Sequence, residues 1–174
     1  MSIITNVRTI RLAQFPNSIW VEIETDESLT GLGEAWRGTA AIETIIHHDI
    51  CPWLIGQDSR NIELISRTLL TPYVGFHSAS AEIRAASAID IALWDLAGKR
   101  HGIPVYEALG GASRSSIQVY NTCSGYSFNA SSSAYNSGTS RRMITDKDEM
   151  RGPYDDQVAF TRDAGALAKS LLSE

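Results

Sequence analysis

The apolar and polar positions fall into two regimes. Near the N-terminus they alternate, as half-buried strands do. Residues 3 to 14 predict a first strand, with Val7, Ile10 and Leu12 on an imperfect alternation. Phe15 to Ser18 reads as a turn or short loop. Ile19, Val21 and Ile23 then alternate cleanly with Trp20, Glu22 and Glu24. Asp26-Glu27-Ser28 turns the chain, and Leu29 to Ala35 returns as a third strand. The three form an antiparallel meander.

From Thr39 the period becomes helical. Thr39 is placed to cap a helix over 40–50, with Ile42, Ile45, Ile46 and Ile50 inward and Pro52 as its stop. Asp58 is placed to cap a second helix, 59–70, with Ile62, Ile65 and Leu69 inward and Pro72 behind it. The longest apolar stretch is Ala85 to Gly102. Ala86, Ile89, Leu93 and Ala97 make one stripe, and Ile91, Trp94 and Leu96 widen it beyond that of a surface helix. Ser78 or Ser80 is placed to cap its start. Lys99, Arg100 and His101 put positive charge at its end, and Gly102 suits the left-handed position that closes it. A short turn of helix, 103–109, ends at Gly110-Gly111. Strands followed by helices define an α+β domain.

Past Ala112 the pattern changes again. Residues 116–122 predict a short strand, and 124–154 form a Ser-, Asn- and Gly-rich loop with no apolar period. Asp155 or Asp156 is placed to cap a final helix with Val158, Ala159, Ala166, Leu167 and Leu171 inward. Strand, loop and helix read as the first unit of a β/α repeat, with the further units expected beyond Glu174. The expected boundary lies between 1–113 and 114–174.

Composition narrows the function without naming it. The 174 residues are 43% hydrophobic and 20% charged, with a net charge of −5. That balance argues against nonspecific nucleic-acid binding, which needs a basic surface. No apolar run approaches the roughly 20 residues of a membrane span. Cys51 and Cys123 are too few for a disulfide framework and predict reduced thiols in a cytoplasmic protein.

Gly31-Leu-Gly-Glu-Ala-Trp36 echoes a dinucleotide-binding loop, but the third glycine is a tryptophan and the glycines lie inside an antiparallel strand. His47 and His48 are adjacent, not four apart, so they point to different faces and predict no metal pair. Asp95 stands four residues before Lys99, the order that favours an ion pair. Asp90, set among Ile89, Ile91 and Leu93, needs a hydrogen-bond partner if buried. Arg141-Arg142 reads as a solvated pair, with an anion site as the alternative. Trp36 and Arg37 admit two readings: a packed indole beside an exposed guanidinium, or a loop tip that meets an anionic small molecule. Tyr120, Asn121, Thr122 and Cys123 end the 116–122 strand; burial and a place on the rim of a barrel both fit Cys123.

Three segments together resemble the mandelate racemase/muconate lactonizing enzyme group of the enolase superfamily. They are Val21 to Asp26 with Gly31-Leu-Gly-Glu-Ala35, then Ala88-Ile-Asp-Ile-Ala-Leu-Trp-Asp-Leu-Ala-Gly-Lys99, then Gly102-Ile-Pro104 with Leu109-Gly-Gly111. The resemblance implies an α+β capping domain followed by the first β/α unit of an incomplete (β/α) barrel. It implies a barrel that binds Mg²⁺ through three acidic ligands and removes the proton α to a carboxylate. Neither the base nor the metal ligands match any residue of this chain, and all are expected beyond Glu174. Two capping loops would cover the substrate, around Phe15–Ser18 and Trp36–Gly38. The substrate-binding residues so implied are Phe15, Asn17, Trp36 and Arg37, with Asn121 at the barrel side. The expected whole is a cytoplasmic, homo-oligomeric, Mg²⁺-dependent acid-sugar dehydratase acting on a small carboxylate. A racemase, epimerase or cycloisomerase is the alternative on the same scaffold, and a noncatalytic capping module the alternative from another class.

Overall fold

The computed structural model describes residues 1–13, 15–71, 80–119 and 164–172. The chain divides into two compact units. One is Met1–Ala13 with Asn17–Ser115, and the other is Gln14–Pro16 with Ser116–Glu174.

The first unit is built on a three-stranded antiparallel sheet in the order β1-β2-β3: β1 (Ile4–Ile10), β2 (Ser18–Thr25) and β3 (Thr30–Trp36). β2 keeps strict alternation, and Ile19, Val21 and Ile23 are wholly buried. β1 does not. A register shift between Ile4 and Asn6 moves the inward positions to Ile4 and Val7. A bulge of this kind inverts the side-chain phase. The expected inward positions Ile10 and Leu12 are therefore exposed. The outer face is polar, with Arg8 bridging Glu22 and Glu24.

The first helical stretch runs past its expected stop. α1 (Thr39–Thr44) passes into a π-helical turn, Ile45–Ile50, and then into α2 (Cys51–Leu54), which contains Pro52. In a plain α-helix the Pro52 ring would clash with the carbonyl four residues back. The wider turn spaces the carbonyls differently, and the Cys51 N–H reaches five residues back to the Ile46 carbonyl. The helix survives its proline at the cost of one π turn. Thr39 is the first residue of α1, and Gly38 takes the capping position. Cys51 is a buried free thiol, and burial pushes its pKa up.

α3 (Ile62–Leu70) starts later than expected, with Asn61 at its cap. Asp58 is spent on an earlier turn. It accepts the Arg60 N–H at 3.1 Å and the Ser2 N–H at 3.2 Å, and its two oxygens take the Arg60 guanidinium. With Ile4 N–H on the Gln57 carbonyl and Ser59 N–H on the Ser2 carbonyl, this turn ties down the start of β1.

The Arg60 guanidinium holds the Asp58 carboxyl well below the usual carboxylate range. A depressed carboxyl stabilises the fold above its unfolded pKa of about 4. That stability is lost as pH falls through the folded value. Asp58→Asn is therefore expected to lower stability at neutral pH and to flatten the acid limb of the stability–pH curve. Acid limbs of equal steepness in the two proteins would contradict this.

α4 (Ala81–His101) is the longest element and lies across β3 and β2. Its buried residues are Ala85, Ala86, Ala88, Ile89, Ala92, Leu93, Leu96 and Gly98. Ile91 is exposed and Trp94 only half-buried, so the apolar belt is narrower than the sequence implies. Ile91 and Trp94 line an open groove with Leu32, Val105 and Leu109. Ser80 holds the N-cap position, and Gly102 closes the helix at φ 65°. The Gly102 N–H meets the Lys99 carbonyl and the Ile103 N–H the Gly98 carbonyl, a Schellman arrangement. α5 (Val105–Ala108) follows.

The contact of α4 with β3 explains Gly31 and Gly33. A Cβ on Gly31 would lie 2.1 Å from the Ala92 carbonyl oxygen, and one on Gly33 2.0 Å from that of Ala88. The two glycines are the seat of a helix, not a phosphate loop. On the exposed edge of β3, Asp95 accepts the Leu32 N–H, while Lys99 donates to the Thr30 carbonyl and to Asp95, all at 2.7 Å. The expected ion pair thus also satisfies an open sheet edge. In the same last turn of α4, Arg100 donates to the hydroxyls of the buried Ser2 and Ser59.

In the second unit the described residues are few. Residues 116–119 of the expected 116–122 strand lie in no strand, with Ile117 and Val119 exposed. A strand needs a neighbour to satisfy its backbone, and among the described residues these four have none. The rest of that segment and the 124–154 loop lie outside the described residues. The final helix is described as α6 (Ala164–Leu171). No helix among the described residues is long and apolar enough to cross a membrane.

Candidate functional site

The β2–β3 register sets two chain segments side by side at one end of the sheet. Ser18 pairs with Trp36 in the ladder. One step further out, the Arg37 N–H donates to the Asn17 carbonyl at 2.7 Å. Asn17 is buried there, and Trp36 is 42% exposed. The Arg37 guanidinium carbon lies 4.5 Å from the centre of the Trp36 ring, in cation–π range. Three of the expected substrate-binding residues, Asn17, Trp36 and Arg37, are thereby brought together.

The backbone at this point is unusual. Arg37 adopts φ 64° and Gly38 φ 72°, two left-handed residues in succession. For glycine this costs little, whereas for arginine it costs about 1–2 kcal/mol. The second left-handed residue turns the chain straight into α1, whose Ile42 N–H donates to the Gly38 carbonyl at 3.0 Å. The Arg37 carbonyl is taken by Arg84, from the first turn of α4, whose Nη1 lies 3.2 Å away. Nothing in the sequence singled out Arg84, because its partner is a main-chain oxygen and carries no residue signature.

A cationic plane laid on an indole is a good receptor for a carboxylate. The forked donors of a guanidinium match the two oxygens of such a group. Phe15 is exposed and belongs to the second unit. Asn121, with Tyr120, Thr122, Cys123 and Arg141-Arg142, lies outside the described residues.

Several other titratable residues have structural partners. Asp90 accepts the hydroxyl of Ser66 on α3, which answers the need for a partner. His47 and His48 are both exposed. The Thr9 hydroxyl donates to Glu43 at 2.9 Å, and His47 Nε2 lies 2.9 Å from the same hydroxyl. Arg11 holds the other Glu43 oxygen at 2.9 Å and, with Thr9, keeps that carboxyl below its ordinary range. Among the described residues, no three of His, Cys, Asp and Glu come together as a metal ion would require.

A strand meander roofed by a long helix is the plan of an enolase-type capping domain. Residues 4–110 match the mandelate racemase / muconate lactonizing enzyme N-terminal domain, and the chain belongs to that family. Among curated relatives it is 36% identical over 126 residues to a D-mannonate dehydratase of Rhizorhabdus wittichii, covering 70% of this chain and 31% of that protein. It is 39% identical over 124 residues to a D-galactonate dehydratase of Ralstonia nicotianae, with the same two coverages. The chain thus spans about a third of the length of the curated relatives it matches. Among solved structures, an enolase protein from Sargasso Sea environmental sequencing shares 57% identity at TM-score 0.67, over 72% of this chain and 34% of that one. A mandelate racemase/muconate lactonizing protein from Paracoccus denitrificans, complexed with magnesium, shares 32% at TM-score 0.60, over 66% of this chain and 32% of that one.

Proposed function

We propose that this chain is the capping part of a hydro-lyase that dehydrates an acid sugar. Residues 1–113 form the cap and 114–174 open the barrel domain. The observation that carries the reading is the pair of relatives, both named as dehydratases of sugar acids. The guanidinium stacked on Trp36 supports it, since that pairing suits a small carboxylate. In such a reaction the proton α to the carboxylate is removed, the β-hydroxyl leaves as water, and the enol relaxes to a 2-keto-3-deoxy acid.

In this reading the chain's own residues bind and enclose the substrate. Arg37 meets an anionic or hydroxyl oxygen, Asn17 shapes the loop beneath it, and Trp36 keeps water from that contact. Phe15 and Asn121 are the further substrate-binding residues of this proposal. The cofactor proposed for the whole enzyme is Mg²⁺, which a magnesium-bound neighbour supports. The described residues offer it no ligand group, so no step drawn from them runs through the metal. The whole enzyme is proposed to act as a cytoplasmic homo-oligomer.

The test is an assay of the intact enzyme carrying this chain, with Mg²⁺ and a panel that includes D-mannonate and D-galactonate. The expected product has lost one water and is a 2-keto-3-deoxy acid. A product of unchanged mass with one inverted carbon would replace this reading by a racemase or epimerase. Arg37→Met is expected to raise KM about 10- to 100-fold, the worth of a hydrogen bond to a charged group. An unchanged KM would remove Arg37 from the site.

A further inference from the structure

Arg84 on α4 reaches the Arg37 loop, and it does so through the backbone. Three facts meet at Arg37. Its φ of 64° is one that arginine adopts only against a steric penalty. Its N–H is held from one side by the Asn17 carbonyl at 2.7 Å. Its carbonyl is held from the other side by Arg84 Nη1 at 3.2 Å. A peptide fixed at both ends keeps a strained φ that a free loop would relax. The same φ decides where the side chain leaves the backbone, and here it leaves toward the Trp36 ring.

We infer that Arg84 is a positioning residue: by holding the Arg37 carbonyl, it keeps the Arg37 backbone left-handed and its guanidinium stacked on Trp36, ready for the substrate. This rests on the reading that Arg37 meets the substrate. Arg84 itself touches no reacting atom. Its guanidinium does for the loop what a buried water or a second strand does elsewhere, with the difference that it joins the loop to the longest helix of the cap. The strained loop is thus referenced to the packed sheet–helix core.

The experiment is a cycle in the intact enzyme, with Arg84→Met, Arg84→Lys, Arg37→Met and the double variant, reading KM and kcat for the acid sugar it turns over. Arg84→Met is expected to raise KM about three- to tenfold, the range of one net hydrogen bond, with kcat little changed. Arg84→Lys, which still donates, should recover part of the loss. In the Arg37→Met background, Arg84→Met should add nothing further. An equal rise in both backgrounds would overturn the inference, because Arg84 would then act on substrate by itself. If Arg37→Met leaves KM unchanged, the substrate reading of Arg37 falls, and a thermal arm still decides the clamp. Arg84→Met should lower Tm less in an Arg37→Gly enzyme than in the parent, since glycine takes this φ without help. Equal Tm losses in the two would show that Arg84 does not hold the loop.

Discussion

Gly33→Ala is expected to destabilise the protein by about 3 kcal/mol or more, at the upper end of what overpacking costs. The methyl group would arrive 2.0 Å from the Ala88 carbonyl oxygen and 3.1 Å from the Ala92 nitrogen. These are main-chain atoms inside a helix, so no side chain can swing away. Relief requires α4 to lift from β3, which would open the buried contacts of Ala88, Ala92 and Leu96. Gly31→Ala should behave alike, with the Ala92 oxygen at 2.1 Å. Gly38 makes the contrast. It has open space around it, and only its φ of 72° resists a side chain, so Gly38→Ala should cost about 1 kcal/mol. Urea unfolding of the three variants checks this. Equal losses for Gly33→Ala and Gly38→Ala would mean that α4 does not sit as closely on the sheet as described.

Leu93→Ala is expected to cost 2–5 kcal/mol, as wholly buried leucines do when a cavity replaces them. Two residues earlier on the same helix, Ile91→Ala should cost under about 1 kcal/mol, since Ile91 is 47% exposed. The pair is informative because hydrophobicity alone ranks them together. Midpoints from urea or thermal unfolding would separate them. A large loss at Ile91 would show that its face of α4 is covered in the working protein, by a partner or by another part of the enzyme.

That contrast also marks where reading the sequence stopped. Elements written in local pattern were legible: the β2 alternation, the α4 stripe, the Gly102 closure and the Asp95–Lys99 pair all rest on residues within a few positions of one another. Signals that depend on a distant partner were not. The phase slip in β1 depends on its register with β2. The passage of a helix through Pro52 depends on a π turn, which no residue type announces. Asp58 stands where a helix cap would stand, but Arg60 and the Ser2 N–H claim it first. Asp90 called for a partner, and Ser66 supplies it from 24 positions away. At the site, the meeting of Asn17 with Trp36 and Arg37 follows from the hairpin once its register is known. The left-handed Arg37 and its Arg84 contact do not, because both are properties of the main chain.

The seating of α4 on Gly31 and Gly33 also limits how the protein can change. Most crowded core positions can be rescued, since a larger residue on one side is offset by a smaller one opposite. Here the opposite side is peptide carbonyl, which no substitution can trim. A search for second-site suppressors of Gly33→Ala should return no compensating change at Ala88 or Ala92. It should return only variants that raise stability globally, so these two glycines can lose their partner helix but cannot renegotiate with it.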